Sequence, residues 1–129
     1  MKDNTFLVEA VKKLLRRGAT THLHNMLLKV RPADLAEAFK SLDERERSLA
    51  FHLLAERDVP AAAGLLLAIH PALRADLLRG MPPEETARVL HGMPSDDVAG
   101  IVAECPPEAR DRILSLMQLP KTVCAVEEL

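Results

Sequence analysis

The hydrophobic residues in the second half of the chain recur with a period of twelve residues. Between residues 70 and 117 the sequence divides into four units, HPALRADLLRGM, PPEETARVLHGM, PSDDVAGIVAEC and PPEARDRILSLM. Each unit carries two mostly apolar residues at its eighth and ninth positions and closes on a sulphur-containing residue, namely Met81, Met93, Cys105 and Met117. A short, strict period is typical of stacked repeat proteins, so we treat it as the organising pattern of the chain.

Each unit opens with the residues of a helix N-terminus. Proline stands second in three units, and acidic residues follow it closely, as in Glu84-Glu85 and Glu108. Proline and acids both suit the first turn of a helix, and the residue before a proline is pushed out of the α region. Each unit therefore predicts one helix of about two turns, too short to persist alone in water. Such helices must stack on their neighbours, which predicts an all-α superhelix of short helices in repeats of about twelve residues.

The same rhythm extends back to Arg31. The first unit there is RPADLAEAFKSL and the second is DERERSLAFHLL. Residues 55–57 are interpreted as slack, that is, as three residues outside the repeat, and the unit DVPAAAGLLLAI follows them. The residues expected to pack are Leu49, Phe51, Leu53 and Leu54 in the second of these units, and Leu65, Leu66, Leu67 and Ile69 in the third. About seven repeats thus fill residues 31–117.

Two helices are predicted in front of the repeats, in residues 1–30. The first is capped by Asn4 or Thr5 and ends at Gly18; its apolar stripe consists of Phe6, Leu7, Ala10, Val11, Leu14 and Leu15. The second runs from about Thr21 to Lys29. After Met117 the pattern fails, so residues 118–129 are interpreted as a tail or as the start of a linker to a further domain.

Composition narrows the class of protein. The chain has 129 residues, 48% of them hydrophobic, with no Trp, no Tyr and three Phe, which predicts one domain with an aliphatic core. No apolar stretch approaches the roughly 20 residues of a membrane-spanning helix, so direct membrane insertion is not expected. The two cysteines form no CxxC pattern, which favours a reduced, cytoplasmic setting.

Charge is distributed unevenly. Residues 1–31 carry seven Lys/Arg and two acids, a net charge of +5. Residues 32–129 carry ten Lys/Arg and seventeen acids, a net charge of −7. Two interpretations stay open: two solvated surfaces, or an N-terminal element that contacts an acidic partner or an anionic membrane surface. Nucleic-acid binding is not expected, because the chain offers neither an aromatic stacking platform nor an overall basic balance.

The chain contains few residues suited to catalysis. His22 and His24 are two residues apart on a predicted helix, where they do not face each other, so a shared metal ion is not expected. Cys105 occupies the closing core position of its unit, which favours packing over reactivity. Without a nucleophile–base set or a phosphate-binding loop, no catalytic site is predicted.

Asp96 and Asp97 are the candidate metal-binding residues. They lie together at a predicted helix start, where matching the helix dipole would suffice to explain them. A carboxylate surface for Mg²⁺ or Ca²⁺ is the functional alternative, since Mg²⁺ keeps several waters and uses one or two carboxylates. Such a surface would form half a site that another domain completes.

Residues 27–117 resemble the cytosolic N-terminal domain of MgtE-type magnesium channels and transporters. The resemblance is carried by RPADLAEAF at residues 31–39, by successive Pro-Glu-x-x-Ala-x-x-Leu steps and by PSDDVAGI at residues 94–101. The flagellar rotor protein FliG has related short-helix repeats and is a weaker match. This weaker match leaves a second hypothesis open, in which the chain is a non-enzymatic protein-interaction scaffold.

The resemblance implies a right-handed superhelix followed by a tandem CBS pair and a transmembrane pore domain, which would be its partners; a homodimer is possible. In that family the N domain docks on the CBS pair when Mg²⁺ is abundant, and the closed arrangement shuts the pore. Asp96 and Asp97 match the family's acidic pair. Asp34 matches the Asp of a Pro-x-Asp-Leu-Ala step, where it either belongs to the metal site or orients its helix. Gly64 and Gly100 stand where acids are common, so Mg²⁺ binding is expected to be weak or to need a partner domain.

Overall fold

The computed structural model describes the backbone of residues 5–128 and the side chains of residues 5–117. This part of the chain is helical throughout and contains no strand, which confirms the predicted all-α class. The helices are α1 (Thr5–Arg17), α2 (Thr20–Leu28), α3 (Pro32–Phe39), α4 (Glu44–Arg57), α5 (Val59–Ala68), α6 (Pro71–Gly80), α7 (Pro83–Leu90), α8 (Ser95–Glu104) and α9 (Pro107–Glu128). Each predicted twelve-residue unit forms one helix.

Helices of alternate units stack on one another. In one row α3 contacts α5, α5 contacts α7 and α7 contacts α9, while in a second row α4 contacts α6. The rows meet where α4 packs across α5 and α7, and α1 and α2 cover α3 and α4 at the N-terminal end. The stacking unit is therefore a pair of twelve-residue helices, and the result is the superhelical repeat that the period predicts.

Local chemistry sets the ends of the helices. Asp43 and Glu46 form a reciprocal capping box at the start of α4, with hydrogen bonds of 2.7 and 2.8 Å. Asp58 accepts from the N–H of Ala61 at α5, and His70 Nδ1 accepts from the N–H of Ala72 at α6. Gly18 ends α1 with a φ of +67°, a left-handed conformation that favours glycine.

The closing residue of each C-terminal unit lies in the core, as the repeat predicts. Met81, Met93, Cys105 and Met117 all have exposed fractions of 8% or less. The Cys105 thiol donates to the carbonyl of Ile101 at 3.4 Å, and burial raises its pKa above the usual range. The prediction that Cys105 serves packing is therefore confirmed.

Several predicted core residues lie on the surface instead. Phe6 is 84% exposed, because α1 buries Val8 and Val11, which point to the opposite side of the helix. Leu49, Leu67 and Leu114 are also exposed, since each short helix presents only one side to its row.

The predicted slack at residues 55–57 is wrong. These residues continue α4, and Ala55 is fully buried. Asn4, Cys124 and the other side chains of residues 118–129 lie outside the described residues, so the proposed division at residue 117 stays a prediction.

Candidate functional site

The predicted acid pair lies in the first turn of α8. Asp96 is exposed and Asp97 is half-buried. Neither carboxylate forms a hydrogen bond or an ion pair with any group in the described part of the chain, and the residue that caps α8, Pro94, offers no side-chain acceptor. Both carboxylates therefore face the positive end of the helix dipole and keep their oxygen atoms available for a ligand.

The surface of α8 next to these acids is made of small residues. Ala99, Gly100 and Ala103 are exposed. A Cβ placed on Gly100 would meet nothing within 4 Å, so the position could hold a larger side chain. Gly64, the other position where an acid is common, differs because a Cβ there would contact Cγ of Pro32 at 3.7 Å. Of these two glycines, only Gly100 lies on an open surface. It is one helical turn from Asp96.

The second acid pair, Glu84-Glu85, is divided between two environments. Glu84 is exposed and accepts from Arg112 at 3.2 Å; a backbone hydrogen bond, and then the Arg112 guanidinium, lower the pKa of its carboxyl. Glu85 is 5% exposed and contacts Nδ1 of His52, whose Nε2 lies 3.5 Å from Glu56. Since both carboxylates of this pair already have partners, neither is free for a cation.

Two further acids near α8 are free. Glu108 and Asp111 are exposed on the first turns of α9, which packs on α8, and neither has a partner in the described structure. They follow the C-terminal end of α8 along the chain, whereas Asp96 and Asp97 lie in its first turn, so the four carboxylates form no metal-binding cluster within the described residues. Asp96 and Asp97 therefore remain the candidate pair that sequence reasoning singled out.

An ion pair anchors the other end of α8. The guanidinium of Arg74 on α6 donates from Nε and a terminal nitrogen to both oxygens of Glu104, at 2.7 and 2.8 Å. This pairing lowers the pKa of the Glu104 carboxyl and raises that of Arg74. A bidentate pair of this kind fixes orientation as well as distance, so α8 is held to the rest of the repeat at its C-terminal end.

A recurrent arginine was also missed by sequence reasoning, although a signal for it was present. Arg47, Arg74 and Arg110 each stand fifth in their unit. Each donates to the carbonyl of the residue that closes the preceding unit: Arg47 to Leu42 at 2.6 Å, Arg74 to Ile69 at 3.4 Å and Arg110 to Cys105 at 3.1 Å. The shared position in the repeat could have revealed this contact, which satisfies carbonyls that a helix end leaves unpaired.

The described residues fit only part of a metal site. No group of three or more His, Cys, Asp or Glu side chains in the described part of the chain could hold a metal ion. Asp96 and Asp97 supply the one or two carboxylates that a hydrated Mg²⁺ uses, and further ligands would have to come from water or from a partner. Asp34 pairs with Arg31 at 3.3 Å, which supports its role in orienting α3.

The chain was compared with known families and proteins. A family profile described as the MgtE intracellular N domain matches residues 30–129, which include all seven repeats and the segment after them. No individual curated protein matched the sequence. Among the described residues, no helix is both long and apolar enough to cross a membrane. The chain belongs to the MgtE intracellular N domain family, whose members are cytosolic domains of magnesium transporters and not a known family of enzymes.

Proposed function

We propose that this domain regulates a magnesium transporter by docking on a pair of CBS domains when Mg²⁺ is abundant, which closes the transmembrane pore. Its role is regulatory and not catalytic. The observation that carries the proposal is the family match over residues 30–129. The unpaired carboxylates of Asp96 and Asp97 add a chemical reason why docking would respond to a divalent cation.

Electrostatic repulsion provides the switch. The first turn of α8 presents two carboxylates, those of Asp96 and Asp97, that have no partner in the described part of the chain. A second acidic surface would be repelled by it, and bound Mg²⁺ would remove that repulsion and bridge the two surfaces. A cation that binds the docked arrangement more tightly than the open one shifts the equilibrium towards docking.

The geometry of α8 suits such a contact. Its exposed small residues, Ala99, Gly100 and Ala103, allow another backbone to approach closely beside the carboxylates of Asp96 and Asp97. The free domain offers only those two carboxylates in the first turn and lacks an acid at residue 100. We therefore propose that Mg²⁺ binds the isolated domain weakly and that a CBS pair completes the site.

The test measures docking on a CBS pair from a transporter of this family by calorimetry, with and without Mg²⁺ and with Ca²⁺ as a comparison. Docking is expected only with the divalent cation. The double variant Asp96→Asn, Asp97→Asn is expected to lose that dependence while keeping the circular dichroism of the wild type, because neither carboxylate has a partner in the described structure and acids at a helix start contribute little to stability. Binding of similar strength without any divalent cation would contradict the proposal.

A matched control separates the site from general charge. Glu9 and Glu44 are exposed acids of α1 and α4 that also lack partners in the described structure. The double variant Glu9→Gln, Glu44→Gln removes the same charge and is expected to dock as the wild type does. If this variant lost docking to the same extent, net charge and not Asp96 and Asp97 would be responsible.

A further inference from the structure

Several cations of residues 5–31 have no acidic partner among the described residues. Residues 5–31 contain six Lys/Arg and one acid, Glu9, a net charge of +5. Lys12 pairs with Glu46 at 3.7 Å and Arg31 pairs with Asp34 at 3.3 Å. The remaining cations are exposed and lack partners in the described part of the chain; they are Lys13, Arg16, Arg17 and Lys29.

An exposed aromatic residue, Phe6, lies on the same side of α1 as two of these cations, Lys13 and Arg17. Phe6 is 84% exposed, whereas the chain's other two aromatic residues, Phe39 and Phe51, are fully buried. At about 100° per residue, Phe6, Lys13 and Arg17 fall within roughly 40° of one another around α1, opposite the buried Val8. The outward side of α1 thus combines an apolar ring with two cations, and Arg16 adds a third cation about 60° from Lys13 around the helix. We refer to Phe6, Lys13, Arg16 and Arg17 as the basic face.

We propose that the basic face binds the anionic headgroups of a lipid bilayer, with α1 lying along the membrane surface and the ring of Phe6 entering the interface. Helices that lie on membranes combine Lys/Arg with exposed Phe or Leu in this way. Each exposed Lys or Arg is attracted by the negative potential of a cytoplasmic leaflet. Since the chain belongs to a family of transporter domains, such a leaflet is close at hand; the proposal uses family membership alone and does not depend on Mg²⁺-dependent docking.

A lipid surface fits these residues better than an acidic protein does. A stable protein interface buries about 800 Å² on each partner around an apolar centre. Among the described residues of α1 and α2, the exposed large apolar side chains are those of Phe6 and of Leu28, the latter 44% exposed beside Lys29. Two scattered apolar side chains with flexible cations between them suit mobile phosphate groups more than a shaped partner.

The test is co-sedimentation of the chain with vesicles of phosphatidylcholine alone or of phosphatidylcholine mixed with phosphatidylglycerol. Binding is expected only with the anionic lipid and should weaken as salt is added. The triple variant Lys13→Glu, Arg16→Glu, Arg17→Glu is expected to bind at least about tenfold more weakly, because it turns attraction into repulsion. Equal binding of the wild type to both kinds of vesicle, or none to either, would overturn the proposal.

The matched control reverses three other cations. Arg45 and Arg57 on α4 and Arg88 on α7 are exposed and lack partners in the described structure, so their replacement by Glu changes the net charge equally. This variant is expected to lose less than about threefold in vesicle binding, since none of its three cations belongs to the basic face. An equal loss in both variants would show a general charge effect and overturn the assignment to the basic face.

A single fluorescent reporter tests whether the side chain at position 6 enters the lipid interface. The chain has no Trp and no Tyr, so Phe6→Trp introduces the only fluorophore of its kind. Its emission is expected to shift to shorter wavelength with anionic vesicles and to stay unchanged with neutral ones. An unchanged emission on bound vesicles would refute insertion of this side chain. Preferential binding of the wild type to polyglutamate over anionic vesicles would identify an acidic polypeptide as the partner instead.

Discussion

Arg74 and Glu104, thirty residues apart, form a two-point ion pair that joins the start of α6 to the last turn of α8. The guanidinium also donates to the carbonyls of Leu66 and Ile69, at 3.3 and 3.4 Å, so one side chain contacts the end of α5 as well. Because α8 has few other neighbours within the described structure, this arginine is a principal support for the helix that carries Asp96 and Asp97.

Replacing Arg74 is expected to destabilise the domain. Arg74→Met removes two charge-assisted hydrogen bonds from a largely buried guanidinium and leaves Glu104 unpaired, which should lower the free energy of unfolding by about 1.5–3 kcal/mol. The measurement is urea denaturation. Arg79→Met on the same helix is the control, since its pair with Asp76 is exposed and should be worth less than about 1 kcal/mol. Similar losses in the two variants would show that the pair has no special role.

The same pair predicts a dependence on pH. Arg74 lowers the pKa of Glu104 below its ordinary value of 4.5, so the folded state binds this proton less readily than the unfolded state. The stability that the pair contributes is then fully present above about pH 4.5 and is lost as the pH falls through the folded pKa. Urea denaturation between neutral and acid pH should give a flatter stability profile for Glu104→Gln than for the wild type. Parallel profiles would contradict this assignment.

Arg47 tests how much the recurrent arginine at the fifth position of a unit contributes to the free energy of unfolding. Its guanidinium donates to Leu42 at 2.6 Å and thereby satisfies a carbonyl after the end of α3. Arg47→Met is expected to lower the free energy of unfolding by about 1–3 kcal/mol, because it leaves this carbonyl without its donor. Arg45→Met, two residues away, removes an exposed cation without a partner and should change stability by less than about 0.5 kcal/mol. Equal effects in thermal denaturation would mean that the contact contributes nothing.

His52 and Glu85 should behave as a coupled pair between α4 and α7. His52→Ala leaves the buried carboxylate of Glu85 without this partner and is expected to cost about 1–3 kcal/mol. The double variant with Glu85→Ala should cost less than the sum of the two single changes, because the shared contact is counted once. Glu84→Ala is the control, since that exposed carboxylate should matter little. Additive single effects in urea denaturation would contradict the coupling.

Helix-start chemistry explains why much of the fold could be predicted. Proline, acids and capping residues act within three or four residues of a helix end, so the starts of α3, α6, α7 and α9 follow from the sequence. The closing residues were also predictable, because a strict period puts equivalent residues in equivalent places. The prediction that Phe6 is buried was wrong, since Phe6 lies at the edge of the apolar arc of α1, and the contacts with α2, α3 and α4 cover the side that carries Val8 and Val11.

The candidate site was predictable only in part. Asp96 and Asp97 were identified from an acidic helix start and from the resemblance, and the structure adds that neither carboxylate has a partner within the described part of the chain. The sequence gives Glu84-Glu85 the same local pattern, yet one of those carboxylates binds Arg112 and the other contacts His52. The partners lie on α9 and α4, twenty-eight and thirty-three residues away, and no local rule identifies them.

The sequence by itself determined that this protein is a chain of short helices, where each helix begins and which residues close each repeat, because these features depend on interactions between near neighbours in the chain. Only the tertiary structure decided that alternate helices form two rows, that Arg74 holds Glu104 and that Phe6 faces outward beside free cations. Those outcomes depend on contacts between helices that are 24 residues or more apart in the sequence. Burial and charge pairing at those contacts are determined by neighbours in space and not by neighbours in the chain.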